Sequence, residues 1–347
     1  MTEAPKTKIK GTLVAFVVGH SSVQRTAKEK EQLETLRSAP HYLGLVPAQK
    51  ILTTEEREIK GKKIAFTVKT YTPDIVIVEA TVELGNIFDE GNMEFKDEII
   101  NACREALQKY KVRKDIDEEY SVWAVGDYEG SPDTFLVHAD KIAGFLKSEK
   151  LPLDEKEIES TLQFSLKYAQ NDLAIVDWDG AFIFEPKSQF GPMIELIEIA
   201  NLQLLRYRIL DNELDIRMKR INELLREREK RGVFFKSREI KQVIKELILM
   251  RSSSILEFES TERNIKLIGD WYSARLYDLI GKKCHFEEWR QKIQMQLNSI
   301  EDIYSLVSEN FNVSVKSRLE MAQLVGWMIL MVAWSILVVF EFASYLK

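Results

Sequence analysis

Hydrophobic and polar positions alternate in short runs over the first half of the chain and fall into a helical rhythm over the second. The segments TLVAFVV (residues 12–18), KIAFTVKT (63–70) and DIVIVEATV (74–82) are short and rich in β-branched residues, which predicts strands. KDEIINACREALQKY (96–110) instead places Ile99, Ile100, Cys103, Ala106, Leu107 and Tyr110 at helical spacing. EYSVWAVGD (119–127) reads as another strand. Ser131 followed by Pro132 predicts a helix start, with Ser131 as the cap. In LQFSLKYAQNDLAIVDWDGAFIFEP (162–186), QND and Asp179-Gly180 each separate two strand-like runs. This predicts a three-stranded meander ending at Pro186, with a type I′ turn at Asp179-Gly180. Strands and helices mixed in this way predict an α+β domain over residues 1–190, with helices on one face of an antiparallel sheet.

From Pro192 the pattern is helical. Residues 193–231 contain no Pro or Gly; the first half is apolar on most faces and the second mostly charged. Gly232 marks a turn to a second helical stretch. Along that stretch Ile265, Tyr272, Leu279, Phe286, Ile293, Ile300 and Val307 recur every seven residues and are all apolar. The d positions are poorer, including Arg275, Lys282 and Asn310, so the stripe fits a helix packed in a bundle or a broken coiled coil. Gly269 and Gly281 are candidate break points. A helical hairpin or stalk is expected over residues 191–320, with these seven residues as its packing or oligomer contacts and a homo-oligomer as the outcome.

Residues 321–340 carry no charge and sit between Glu320 and Glu341. Twenty helical residues cover roughly 30 Å, one bilayer core. The expectation is a C-terminal transmembrane anchor over residues 321–343, with Trp327, Trp334 and Tyr345 as anchor residues. The N-terminus has neither a signal-peptide core nor an Arg-rich transit stretch, so the bulk is expected on the cytoplasmic side of a single-pass, tail-anchored protein.

Composition narrows the chemistry. The chain has 347 residues, 45% apolar and 30% charged, with net charge −6 and two cysteines. That is a globular composition, and the net charge argues against wholesale nucleic-acid coating. Cys103 and Cys284 form no CxxC, and no Cys/His cluster offers zinc-ligand spacing. The four histidines are scattered, and GxSxG, GxxxxGK[ST] and GxGxxG are absent from the sequence. No catalytic, cofactor or metal residue is assigned; an unrecognised hydrolase or nucleotide site on the α+β domain is the alternative. Asp172, Asp177, Asp179 and Glu185 cluster in the meander and read as turn and surface residues. Asn201, Arg206, Arg208, Asp211, Asn212 and Asp215 punctuate the apolar helix, where Arg208 is expected to face Asp211 or Asn212 and fix helix register.

Charge is unevenly distributed. Arg217, Lys219, Arg220, Arg226, Arg228, Lys230, Arg231, Lys236, Arg238, Lys241 and Lys245 stand against four Glu, a local charge of +7 in a net-acidic chain. One reading is a solvated helical face; the other is a patch for an anionic partner, through phosphate charge rather than base stacking. Specific DNA binding is not expected.

DLAIVDWDGAFIFEP, then LIEIANLQLLRYRILDNELD, then a long helical region, then SRLE entering the terminal apolar run, resembles the required-for-meiotic-nuclear-division (Rmd) family, also called domain of unknown function 155. The resemblance covers roughly residues 10–345, and its most specific part is residues 198–215. Met321 stands where the family usually has an aromatic residue. The targeting region of the animal members is missing, which suits a prokaryotic-type relative. The resemblance implies a membrane-attached, oligomeric scaffold or assembly factor that tethers translation machinery, with the ribosome or another protein or RNA as partner. It supplies no catalytic residue.

Overall fold

The computed structural model describes residues 8–22, 49–71, 74–231, 242, 245–246, 249 and 271–345. Among these, eight strands form one sheet: β1 (Gly11–Ser21), β2 (Gln49–Ile59), β3 (Lys62–Tyr71), β4 (Ile75–Leu84), β5 (Val112–Val125), β6 (Ser165–Leu166), β7 (Leu173–Val176) and β8 (Gly180–Phe184). Their spatial order is β2-β3-β4-β1-β5-β8-β7-β6. The helices are α1 (Gly91–Gln108), α2 (Ala139–Leu146), α3 (Glu155–Gln163), α4 (Gly191–Arg231), α5 (Trp271–Lys283) and α6 (Phe286–Tyr345). A 3-10 helix spans Pro132–His138, and the hydroxyl of its cap Ser131 accepts from the Asp133 amide.

All neighbouring strands pair antiparallel except β5 and β8, which run parallel from Ser121↔Gly180 to Val125↔Phe184. The expected antiparallel sheet is therefore a mixed one. The connection that makes it so carries α2, α3 and the β6–β7 hairpin, long enough to bring the chain back in the same direction.

Strand alternation sorts the side chains onto two faces. Leu13, Ala15 and Val17 of β1, Ile64, Phe66 and Val68 of β3, Trp123 of β5 and Phe182 and Phe184 of β8 join one apolar core. Ile99, Cys103 and Leu107 of α1 and Ile142, Phe145 and Leu146 of α2 close over it. The Trp123 and Phe145 rings stack at 4.5 Å. The intervening positions, such as Phe16, Val18, Ile77, Tyr120 and Ile183, are equally buried on the opposite face. There Glu198 of α4 meets Lys69 and Tyr71 of β3, and Arg208 of α4 meets Glu118 of β5. Helices on one face only were expected; both faces are covered.

Two turns show where glycine is needed. Lys60 and Gly61 both take positive φ (50° and 74°) between the paired Ile59 and Lys62, the geometry of a type I′ hairpin. Asp179 and Gly180, expected to form such a turn, are not among the positive-φ residues. Gly180 answers a different need. A Cβ there would lie 3.0 Å from the Ser121 carbonyl oxygen, so the glycine admits the close approach of β8 to β5.

The expected transmembrane segment is overturned: among the described residues no helix is long and apolar enough to cross a membrane. Residues 321–340 are the end of α6, a 60-residue helix whose earlier turns are heavily charged. The membrane, tail-anchored and single-pass readings of the chain fall with it.

The chain divides into two compact units. One comprises Met1–Glu213 and Met250–Ile293; the other comprises Leu214–Leu249 and Gln294–Lys347. The first holds the whole sheet. In the second, Leu214, Ile221 and Leu224 of α4 and Leu297 and Ile300 of α6 are its buried apolar positions among the described residues.

Candidate functional site

Two polar clusters lie inside the first unit, and each joins elements far apart in sequence. The larger sits where α4 meets the sheet. Lys69 lies on the α4 face because its strand neighbours Phe66 and Val68 alternate onto the other core. Its Nζ donates to Glu79 Oε2 of β4 at 2.7 Å and to Glu198 Oε1 of α4 at 2.9 Å. The Tyr71 hydroxyl donates to Glu198 Oε2 at 3.1 Å. Glu198 is completely buried, and Lys69 and Glu79 nearly so.

Burial, with Glu79 alongside, pushes the Glu198 carboxyl up to about 8 despite the attraction of Lys69. Lys69 is lost from water too, yet its two carboxylate partners more than offset that and raise it above the ordinary lysine value. Tyr71 is raised by burial and then by Glu198. Glu195, one turn before Glu198 on α4, is raised chiefly by burial.

The second cluster centres on Asp177, which is 2% exposed at the end of β7. Its Oδ1 accepts from the Trp178 amide at 2.6 Å and pairs with Lys283 Nζ of α5 at 3.0 Å. Its Oδ2 faces Lys147 Nζ, at the end of α2, at 3.4 Å without hydrogen-bond geometry. The buried Tyr120 hydroxyl donates to the Asp177 carbonyl at 2.9 Å. Asp177 thus ties together α2 and α5, and Lys283 also lies 4.3 Å over the Phe164 ring. On β5, two strands from β7, Arg208 pairs with Glu118, whose carboxyl burial pushes up to about 7. Cys284 beside this cluster and Cys103 on the buried face of α1 are free thiols, both pushed by burial up to about 12, which leaves them unreactive.

Among the described residues no group of three or more His, Cys, Asp or Glu is arranged to hold a metal ion. Asp172 caps its own turn, accepting from the Tyr168 and Ala169 amides. His20 pairs with Asp74, and His285 with Glu288. The expected Arg208–Asp211 contact gives way to longer-range pairs: Arg208 with Glu118, and Asp211 with Lys292 of α6 at 2.8 Å.

The heptad residues do not share one helix. α5 ends at Lys283, His285 takes φ +54°, and α6 begins at Phe286. The break falls after Gly281 because the Phe286 ring packs back over that glycine, 3.0 Å from where a Cβ would stand. Phe286, Ile293 and Ile300 are buried, while Tyr272 and Leu279 are half-buried and Leu276, Tyr277 and Ile280 make the buried face of α5. Ile265 and the Val307 side chain lie outside the described residues.

Of the basic stretch, Lys219, Arg220 and Arg226 are exposed on α4, Arg217 is half-buried, and Lys245 is exposed. Lys219 pairs with Asp215, and Arg220 lies 3.9 Å from Glu223. Lys236, Arg238, Lys241 and the side chains of Arg228, Lys230 and Arg231 lie outside the described residues. On α6, Met321, Leu324, Trp327, Met328, Leu330, Met331 and Trp334 are each more than 60% exposed; the Tyr345 side chain lies outside the described residues. This is a succession of large apolar groups with no cover among the described residues.

The Lys69–Glu79–Tyr71–Glu198 and Asp177–Lys147–Lys283 clusters were missed in the sequence. A signal was present: Lys69 and Glu79 interrupt otherwise apolar strands, and Glu198 interrupts an apolar helix.

These features define a class: a mixed eight-stranded sheet layered between helices, joined to long helices that carry exposed apolar and basic surface. The chain belongs to the family described as "Uncharacterized protein MJ0711, N-terminal domain", whose model matches residues 17–190, half of the chain. It is 27% identical over 305 residues to the uncharacterized protein MJ0711 of Methanocaldococcus jannaschii, covering 87% of this chain and 90% of that relative. The matched domain holds most of the sheet and ends just before α4, whereas the pairwise likeness runs well beyond it. No solved structure matches.

Proposed function

We propose that the protein is a non-enzymatic, self-associating scaffold or assembly factor, in which a second copy of the chain covers the apolar end of α6. The observation that carries this reading is the run of exposed large side chains from Met321 to Val338, each at least 40% exposed. Burying one such side chain contributes about 1.5–3 kcal/mol, so pairing several offsets the cost of association. Closed two-fold pairing is the simplest assembly that hides a surface of this kind.

The exposed basic residues of α4, Lys219, Arg220 and Arg226, support a polyanionic partner for the scaffold. The likeness to the Rmd family supports translation machinery as that partner. Contacts of this kind are made to phosphate and weaken steeply with salt.

The test is light scattering of the full chain, whose monomer mass is 40.3 kDa. A mass of twice that or more, returned to the monomer value by Leu324→Asp with Leu330→Asp, supports the reading; a wild-type monomer at micromolar concentration refutes it. Capture of ribosomal RNA and proteins by the full chain, lost on Lys219→Glu with Arg226→Glu, tests the partner.

A further inference from the structure

The polar cluster under α4 has more negative groups than its cations balance. Glu79 and Glu198 share the Nζ of Lys69 at 2.7 and 2.9 Å, with Tyr71 donating to the far oxygen of Glu198. Glu195 adds a third carboxyl one turn away, half-buried. From the neighbouring strands, β1 places Phe16 opposite Glu79, and its His20 lies at the strand end paired with Asp74. β2 places Ile51 opposite Lys69 and Thr54 opposite Thr67; its nearest acid on that face, Glu56, stands opposite Ala65, and Lys50 stands opposite Thr70. Lys69 is therefore the single ammonium that the described contacts bring to Glu79 and Glu198. Two ionised carboxylates on one ammonium leave a net negative charge out of water, which is costly unless a proton is taken up.

We infer that this cluster is a proton-linked latch: the seam between α4 and the sheet closes with one proton held on Glu198, and opening the seam releases it. The balance is simple. In the closed seam Glu198 is neutral and Lys69 balances Glu79. When α4 lifts, Glu198 reaches water and ionises, and its proton goes to solvent. Opening then rises with pH wherever the closed seam holds the proton and the open one does not. That window runs from the ordinary glutamate value of 4.5 up to about 8 and closes above it. Glu118, held to the same helix through Arg208, adds a second proton-linked contact with an upper limit of about 7. Between pH 7 and 8 the latch is therefore the larger of the two contributions, about fivefold against about twofold.

Amide hydrogen exchange of the full chain, followed in peptides from residues 191–213 and corrected for the intrinsic pH dependence of exchange, reads the opening directly. In wild type the opening equilibrium should rise about fivefold between pH 7 and pH 8, since a closed-seam carboxyl near 8 is itself half ionised at the upper end. Glu198→Gln, a neutral isostere, should remove that rise and leave this segment better protected at pH 8 than wild type. Glu79→Gln offers the same test should the first variant fail to fold. In wild type labelled with carbon-13 at the glutamate carboxyls, one carboxyl should titrate between pH 7 and 8.5. An unchanged rise in Glu198→Gln overturns the latch. So does a flat wild-type response from pH 7 to 8, or a label in which every glutamate titrates below pH 7.

Discussion

On one face of the sheet, α1 and α2 close over Leu13, Val17, Ile64, Phe66, Trp123 and Phe182, an apolar core that includes 0%-exposed aromatic rings. On the other, α4 sits over equally buried apolar residues interrupted by Lys69, Glu79, Glu118, Glu198 and Arg208. Both faces exclude water, but by different means. The first depends on shape and area and is indifferent to pH. The second requires each charge to find its partner, so its packing is tied to protonation and to the register of α4 on the strands. An apolar interface tolerates a modest shift of one element over another; an ion cluster with bonds near 2.7–3.1 Å does not. The polar face therefore fixes where α4 lies, while the apolar face supplies most of the burial.

Perturbing each face separately gives the sharpest contrast. Trp123→Ala, which empties a fully buried site against Phe145, should cost about 3–5 kcal/mol in denaturant unfolding, with the same loss at pH 6 and pH 9. Lys69→Met should cost a similar ~3–5 kcal/mol at pH 9, because it strands Glu79 and Glu198 without their ammonium. At pH 6 that loss should shrink as the stranded carboxyls take up protons. Equal losses at the two pH values for Lys69→Met would erase the distinction between the faces.

Smaller changes refine the comparison. Gly180→Ala pushes a methyl against the Ser121 carbonyl at 3.0 Å and should cost about 1–3 kcal/mol, a strain independent of pH. Tyr71→Phe removes one buried donor to Glu198 and should cost about 1–1.5 kcal/mol, read from the urea midpoint. Glu118→Gln tests the other polar contact. Wild type should lose stability as pH rises from 4.5 towards 7, since the buried carboxyl holds a proton that the unfolded chain has released; the variant should lack that part of the slope. Lys219→Ala, on an exposed helical pair, should leave the unfolding midpoint unchanged.

Much of the apolar face was legible in the sequence. Short runs rich in β-branched residues over 12–18, 63–70 and 74–82 marked β1, β3 and β4, and helical spacing over 96–110 marked most of α1. Both rest on local preferences that act over a few residues. β2 went unpredicted because its exposed, charged sequence lacks an apolar run. The polar clusters were only half visible. Arg208 stood out within its helix, yet its partner is Glu118, ninety residues away in sequence. A local rule that pairs charges three or four residues apart could only offer Asp211 or Asn212.

The sequence by itself determined the change from strand-rich to helix-rich chain near residue 190, the meander before it, and the concentration of positive charge at the end of α4. These follow from local pattern and composition, which act over a few residues at a time. Only the tertiary structure decided that β5 and β8 run parallel, that Asp179-Gly180 needs space rather than positive φ, and that α5 and α6 part at Cys284–His285 instead of continuing one heptad stripe. It alone decided that Lys69, Glu79 and Glu198 meet. Each of these depends on what a residue touches across the fold, and a strand of alternating side chains carries no record of which helix will cover it.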